Sequence, residues 1–496
     1  MKTDHHLKNN RHRPDVVLSG AARSWGGRRT LLFGSTLLLS SGLIVLAALG
    51  DLWLDEIWSL HFARESDSVA DLFFRFQHDN NHLLNTLYLY FLEGPSAYFT
   101  YRLPAVASGI GTLFLMGHTA HHDWGYPEAL LAVLLAGTSF PLLLYFSEAR
   151  GYAPAIFFAI LAYTVLVQNL GSPNTGRLLV FWAASLLGIL SHATFAIVSV
   201  ALLALQSLHT LRAKPPFPRK VSQLLMHQTP PLIFLGFWYL FFIRHMVIGQ
   251  GPVYSKLNVV TRAAALALGW ADRQPYTFLA LAVVFVVIIS GTWLLKTDKR
   301  PQWAFFPAVL LFSPFLLLLC VQPTYLYFRY FIVCFPFFYL LLAYTICRFY
   351  QIRSTLLRLV MILLPIFFII GQTQRLHPLL ILGRGNYARA VDFLANHTAG
   401  PTIVVSSDSD FAHSLLFDFY APMVAKKKSL RYVPQSQWQE GIPDWFIFHS
   451  QKNDEQPLLR IVIESVGTYR LAAQFRSAEV SGWRWFLYRR TPPVIN

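Results

Sequence analysis

Residues 31–58 read LLFGSTLLLSSGLIVLAALGDLWLDEIW, and their order decides the fold. The first 20 of them, 31–50, are uncharged and mostly apolar, the length a helix needs to cross the hydrocarbon core of a bilayer. Asp51-Leu52-Trp53-Leu54-Asp55-Glu56 follows at once, setting two adjacent carboxylates among apolar neighbours. The apolar stretch is long enough to remain as a span and lacks a small-residue cleavage pattern, so we expect no cleavable signal.

Working outward, the rest of the 496-residue chain has the same character. It is 54% hydrophobic and 13% charged, with a mean hydropathy of +0.43. Soluble domains carry about 25% charge. This composition excludes a conventional cytosolic enzyme, a disordered chain and a disulfide scaffold. It predicts a polytopic α-helical membrane protein with about eleven spans, at 31–50, 101–121, 128–146, 151–169, 178–190, 193–208, 229–247, 276–295, 303–321, 328–347 and 355–372. The stretch 178–208 is long for one span and short for two, and Ser191-His192 is the expected break.

Basic residues in short loops set the orientation. The N-terminal tail holds Lys2, Lys8, Arg11, Arg13, Arg23, Arg28 and Arg29. Every second connection is also basic: Arg212, Lys214, Arg219 and Lys220, then Lys296, Lys299 and Arg300, then Arg348, Arg353 and Arg358. These belong in the cytoplasm, which places the 51–100 loop and the C-terminal tail outside. The net charge of +16 then reflects topology and contact with anionic membrane lipids, and no nucleic-acid partner is expected. Cys320, Cys334 and Cys347 lie in or beside apolar spans and read as small core residues.

Beyond Gln372 the composition changes. Segments 402–406, 445–449 and 460–464 read as short strands, and Tyr387–His397 and Phe411–Tyr420 as helices. We therefore divide the chain into a transmembrane catalytic domain, 1–372, with its outer loop at 51–100, and a small exported α/β domain, 373–496. No internal repeat of the transporter kind is visible.

The acids locate the chemistry. Up to residue 372 there are fifteen, and eight of them (Asp51, Asp55, Glu56, Glu65, Asp67, Asp71, Asp79 and Glu93) fall in the first outer loop. From 149 to 372 only Asp272 and Asp298 remain. Acid–base work at the outer face must draw chiefly on that loop. The apolar setting of Asp55 and Glu56 suits a working base if a cation keeps it ionised, and equally suits an interfacial helix with capping acids. His78-Asp79-Asn80-Asn81-His82 offers two imidazoles and a carboxylate in no recognised metal spacing, and reads as a helix start with polar caps. Arg102, the run Glu148-Ala149-Arg150-Gly151-Tyr152, His192 and Arg329-Tyr330 sit at outer ends of spans. Ionisable groups at that depth mark a functional cavity, and arginine grips phosphate through its planar fork. Snorkelling to the interface is the bland alternative.

In this order, these residues resemble the lipid-linked-sugar glycosyltransferases of the GT-C fold, chiefly the bacterial lipid A aminoarabinose transferases and the protein O-mannosyltransferases. The acidic pair after the first span matches Asp55-Glu56, an Arg-Leu-Pro run matches Arg102-Leu103-Pro104, and an Ala-Arg-x-Tyr run matches Ala149-Arg150-Gly151-Tyr152. An Arg-Tyr pair before a late span matches Arg329-Tyr330. A His-Pro-Pro-Leu stretch matches only as Asn81-His82-Leu83-Leu84, without its prolines.

The resemblance covers about residues 30–350. It implies transfer of a sugar from a polyprenyl-phosphate donor to an acceptor at the outer face of the bacterial cytoplasmic membrane. The acceptor is left open among lipopolysaccharide, other envelope glycans, lipid and protein. Asp55 and Glu56 are the catalytic candidates, with Asp55 as base and Glu56 orienting the loop or helping to bind substrate. His78, Asp79, His82, Arg102, Arg150, Tyr152, His192, Arg329 and Tyr330 are the candidates for substrate binding. No organic cofactor is called for, and a divalent metal is left open.

Two other readings compete. A transporter or flippase of lipid-linked glycans would place its ionisable groups near mid-membrane, whereas here they gather at one face. Asp408-Ser409-Asp410 follows a strand, as metal-binding Asp-x-Asp does in nucleotide-sugar transferases. It is also a common short pattern, and we read Asp410 as the N-cap of a helix starting at Phe411. Lys426-Lys427-Lys428 reads as a solvated loop, with contact to lipid headgroups as the alternative.

Overall fold

The computed structural model describes residues 27–491, apart from 93, 95, 213–215, 250, 322–324, 425, 426, 440, 452–454, 464 and 465. Lys2, Lys8, Arg11, Arg13, Arg23, Glu93, Lys214 and Lys426 of the sequence reading lie outside the described residues.

The first apolar stretch forms α1 (Gly27–Ala47). The acid-rich loop folds into three short helices, α2 (Leu54–Arg64), α3 (Val69–Phe74) and α4 (Leu83–Phe91). Then come α5 (Tyr98–Asp123), α6 (Tyr126–Thr138), α7 (Phe140–Phe146), α8 (Tyr152–Gly171), α9 (Thr175–Ser191), α10 (Phe195–Arg212) and α11 (Phe217–Phe241). A short helix that the sequence reading missed, α12 (Lys256–Leu268), precedes α13 (Tyr276–Thr297). The segment Pro301–Cys320 holds α14 (Phe305–Pro307) and α15 (Ser313–Cys320) around a π-helical stretch. Phe328–Tyr350 begins as a 3-10 turn and continues as α16 (Phe335–Tyr350), and α17 (Thr355–Leu382) is the last long helix.

The eleven expected spans fall on these helices, with 128–146 divided between α6 and α7 and 303–321 running through α14 and α15. By length and apolar composition eight qualify as spans among the described residues, or nine if α6 and α7, bent by 69°, are one. The other two segments are α9, only 17 residues long, and α11, whose first half carries Arg219, Lys220 and Gln223. Leu31, Leu38, Ile289, Leu356 and Phe367 lie exposed on the helices, an apolar surface of the kind that faces lipid. The chain is an integral membrane protein. Of the cysteines only Cys334 is buried; Cys320 is exposed, which corrects its reading as a core residue.

The bend between α6 and α7 leaves backbone groups without helical partners inside the bundle. Leu142 N–H donates to Ser139 Oγ, and Phe140 N–H donates to Gln372 Oε1 of α17 at 2.9 Å. Gln372 Nε2 in turn donates to the carbonyl of Leu266 at 3.0 Å, so one side chain ties the bend to the last turn of α12. α17 runs unbroken through residue 372, so the composition change there is not a break in the fold.

After α17 come α18 (Tyr387–His397), α19 (Asp410–Tyr420) and a six-stranded sheet: β1 (Thr402–Ser407), β2 (Ser429–Tyr432), β3 (Trp445–Ser450), β4 (Arg460–Ile463), β5 (Gly467–Phe475) and β6 (Arg484–Arg490). The order is β2-β1-β3-β6-β5-β4, with β1 parallel to β2 and β3 and the rest antiparallel. Period-two alternation in β6 sends Trp485 and Leu487 to one face and Phe486 and Tyr488 to the other. The first face shares a core with Leu52, Trp53, Leu54 and Ile57, so the sheet unit is packed onto the acid-rich loop.

Candidate active site

Asp55 and Glu56 are neighbours in α2, and helical geometry turns successive side chains about 100° apart. Glu56 points inward and is fully buried. Its Oε1 accepts from Arg102 Nε at 2.7 Å and from the Ala149 amide at 2.8 Å. Its Oε2 accepts from Arg102 Nη2 at 2.6 Å and from the Trp53 amide at 3.2 Å. Burial opposes ionisation of Glu56, but the Arg102 guanidinium outweighs it and holds the carboxyl below the usual range. Arg102 gives its remaining N–H groups to the carbonyls of Ala48, Gly50 and Asp51. Arg102 was expected to bind substrate. Instead all its donors serve the fold, because it closes the carbonyl end of α1 from within.

Asp55 points the other way and keeps 15% of its side chain exposed. Its Oδ2 lies 2.9 Å from Arg150 Nη1 and 3.4 Å from Arg329 Nη1. Arg150 Nη2 donates to Asn80 Oδ1 at 2.8 Å, and Asn80 Nδ2 donates to the Asp55 carbonyl at 2.7 Å. The Nε atoms of Arg150 and Arg329 are both buried with no hydrogen-bond partner among the described residues. Two guanidiniums with idle donors thus flank one carboxylate. Asn80, which sequence reasoning passed over, is the bridge; its signal was its place inside the quoted His78–His82 run.

Arg150 is delivered by a turn only glycine permits. A Cβ on Gly151 would stand 1.9 Å from the Ser191 carbonyl oxygen and 2.8 Å from His82 Cβ. That close approach brings His82, Tyr152 and His192 together: His82 stacks on His192 at 4.8 Å, and Tyr152 lies 4.2 Å from His192. Burial, with Arg150 nearby, pushes His82 well below the usual imidazole range and His192 down to about 3, so both are neutral. His82 Nε2 is buried without a hydrogen-bond partner among the described residues, an idle group beside the charged cluster.

His78 and Asp79 form a separate wall. His78 lies 4.4 Å from Trp58 and 2.9 Å from the Asp79 carboxylate, which also accepts from the Gly249 amide at 3.1 Å. Burial works against the Asp79 charge, but the His78 hydrogen bond prevails and lowers its pKa. His78, Asp79 and His82 thus diverge and form no shared metal-ligand group among the described residues. His82 does occupy the N-cap position of α4, but its side chain makes no capping bond. Tyr330 follows Arg329 and packs edge-on to Tyr327, over whose ring Arg329 lies at 4.6 Å.

No protein-family profile matches the chain, and comparison with curated proteins gives no match either. Solved structures do match. ArnT from Cupriavidus metallidurans in the apo state aligns over 92% of this chain and 97% of its own, with 14% identity and a TM-score of 0.51. The same protein bound to undecaprenyl phosphate aligns over 94% and 99%, with 12% identity and a TM-score of 0.52. The chain has the GT-C fold.

In this GT-C chain the sheet unit reaches the site through a second buried network. Glu148 Oε1 accepts from Ser481 Oγ at 2.7 Å and from Arg384 Nε at 3.3 Å, and its Oε2 lies 3.9 Å from Arg150 Nη1. Arg384, fully buried, also donates to the carbonyls of Ala47 and Leu144 and to Ser147 Oγ. Burial pushes the Glu148 carboxyl up, and the nearby guanidiniums only partly offset it. The Ala388 amide donates to Asp51, the Tyr420 hydroxyl donates to the Leu52 carbonyl, and Phe411 packs 4.8 Å from Trp58.

Among the described residues, Asp408, His413 and His449 form a group that could hold a metal: one donor atom of each lies within 4.8 Å of the others. Asp410 is not the N-cap expected. Ser409 holds that position, and the Asp410 carboxylate instead accepts from the Tyr432 hydroxyl and the Gln435 amide. The nearby β2 strand is what drew it away.

Proposed function

We propose that the protein transfers a sugar from a polyprenyl-phosphate donor to an acceptor hydroxyl at the outer face of the cytoplasmic membrane, with Asp55 as general base. The observation that carries this reading is the carboxylate of Asp55 held between two arginines that keep buried, idle Nε–H donors. Such a pocket suits a phosphate next to a base.

An apolar groove of about 430 Å³ supports it, lined among others by Leu257, Val260, Phe285 and Leu311. Phe331 and Phe335 of its wall lie on the same helical segment as Arg329, so a prenyl chain lying in the groove brings its phosphate near the guanidiniums.

In this mechanism the donor phosphate draws Arg150 and Arg329 from Asp55. The freed carboxylate takes the proton of the acceptor hydroxyl as its oxygen attacks the anomeric carbon. The bond from that carbon to the phosphate oxygen breaks, polyprenyl phosphate leaves with the electron pair, and the configuration inverts. The arginines stabilise charge developing on the leaving phosphate, which therefore needs no separate acid. Neutral His82 and His192 with Tyr152 form the wall against which the sugar is held. The C-terminal unit lies outside with the site. It covers the loop rather than acting as a separate catalytic domain.

The test is twofold. Lipid and glycan profiling of a deletion strain should show one missing sugar modification, which identifies donor and acceptor. Purified protein should then carry out that transfer with the lipid-linked donor and fail with a nucleotide sugar. Transfer from the nucleotide sugar alone would overturn the reading.

A further inference from the structure

Three side chains that the transfer reaction does not use converge at one edge of the C-terminal sheet. Asp408 directly follows β1, His449 lies near the end of β3, and His413 lies in the first turns of α19. β1 and β3 run parallel, so Asp408 and His449 emerge at the same carboxyl edge, where open α/β sheets place their ligands.

Asp408 Oδ1 stands 2.7 Å from His449 Nδ1, and His413 Nδ1 hydrogen-bonds the Ser409 carbonyl at 3.1 Å, which leaves Nε2 as the atom of His413 free to bind a metal. Zinc held by nitrogen and oxygen at about 2.0–2.2 Å in a tetrahedral shell separates its donors by roughly 3.2–3.6 Å, and one donor atom of each of the three residues lies within 4.8 Å of the others. The Asp408–His449 hydrogen bond accounts for two of the three residues but not for the third. His413 is fully buried beside them, and its Nε2 has no hydrogen-bond partner among the described residues. A buried polar atom left so is rare and calls for an explanation, an ion among them.

The surroundings are those of a metal site. The Asp408 carboxylate is steadied through Oδ2 by the His449 amide at 3.1 Å. Trp483, 4.2 Å from His449, and Trp485, 5.2 Å from His413, supply an apolar shell of the kind that tightens metal binding. Two imidazoles and a carboxylate suit zinc best among common divalent ions.

We propose that Asp408, His413 and His449 bind one zinc ion, with the fourth position left to water. The ion clips the β1–α19 turn to the end of β3. Phe411, in the first turn of α19, rests on Trp58, so the ion also fixes the surface that the C-terminal unit presents to the helix carrying Asp55. This site is independent of the transfer chemistry proposed above.

Tag-free full-length protein in detergent, stripped with a chelator and dialysed, is titrated with Zn²⁺ and, separately, with Co²⁺. The expected result is one Zn²⁺ per chain, a rise in melting temperature, and the visible absorption of tetrahedral Co²⁺. All three signals should be lost in His449→Gln and in Asp408→Asn, the latter keeping the size of the side chain. They should persist in His78→Gln, which separates this site from the membrane-proximal histidines. Absence of stoichiometric zinc in the wild type would overturn the proposal. So would an unchanged Co²⁺ spectrum in His449→Gln, or loss of zinc in His78→Gln alone.

Discussion

Two clusters of charge interlock beside the first span. In one, Glu56 and Arg102 are fully buried and the five N–H donors of Arg102 all meet protein acceptors. In the other, Asp55, Arg150 and Arg329 share a partly exposed pocket, and two guanidinium Nε atoms have no hydrogen-bond partner among the described residues. Both contain a carboxylate from the same helix turn and arginine from a distant part of the chain. Hydrogen-bonding capacity left idle in a buried place separates them, because a structural tie leaves none over and a binding site must keep some for its ligand.

The strongest way to break that comparison is Asp55→Asn, which keeps size and hydrogen-bonding reach but cannot take a proton. Transfer by the purified variant should fall by ~10²–10⁴-fold, with protein yield and donor binding changing far less. Glu56→Gln should do the opposite. It leaves the Arg102 charge buried without its partner, a loss of about 3–5 kcal/mol that a melting curve in detergent will register. Turnover per folded molecule should drop less than in Asp55→Asn. If Glu56→Gln were the slower enzyme at equal stability, the two roles would be exchanged.

Arg150→Lys and Arg329→Lys should each weaken transfer by about 10–10²-fold, the equivalent of one charge-assisted hydrogen bond, because an ammonium cannot replace the planar fork. Initial rates against donor concentration will show whether the loss lies in KM or in kcat.

A smaller effect concerns acid. The folded pKa of His192 is depressed to about 3, so below ~6.5 the unfolded chain takes up a proton that the native protein refuses. Stability should therefore fall as pH drops from ~6.5 toward 3, by up to ~1.4 kcal/mol per unit from this residue. His192→Gln should flatten that part of the curve of melting temperature against pH. The smallest effect expected on transfer is that of Asp408→Asn, which lies outside both clusters and should leave the rate nearly intact in the same assay.

Much of this was legible in the sequence. The long apolar runs mark the helices, and the break at Ser191-His192 lies where α9 ends and His192 caps it. α12 escaped because its apolar residues are interrupted by Lys256, Asn258 and Arg262, too polar for a span and too short for a strong helical period. β5 and β6 escaped because each carries arginines, Arg470 in one and Arg484, Arg489 and Arg490 in the other, which hide their alternation. At the site, charged residues stand out in so apolar a chain, so Asp55, Arg150 and Arg329 could be named. Their partners could not, since the inward turn of Glu56 and the Asn80 bridge depend on which helix face meets which. The Asp408 cluster was invisible for the same reason: His449 joins it across 41 residues of chain.

The Gln372 side chain has a consequence for how the protein is made. The bend it closes lies 232 residues earlier in the chain. Until the last long helix is inserted, the Phe140 amide and the Leu266 carbonyl have no partner from that side chain, in a solvent that offers none. Synthesis therefore runs with an open seam through the half-built bundle, and the seam shuts only when residue 372 enters the bilayer. A chain that ends before that point leaves the bend at Phe140 without the side chain that closes it.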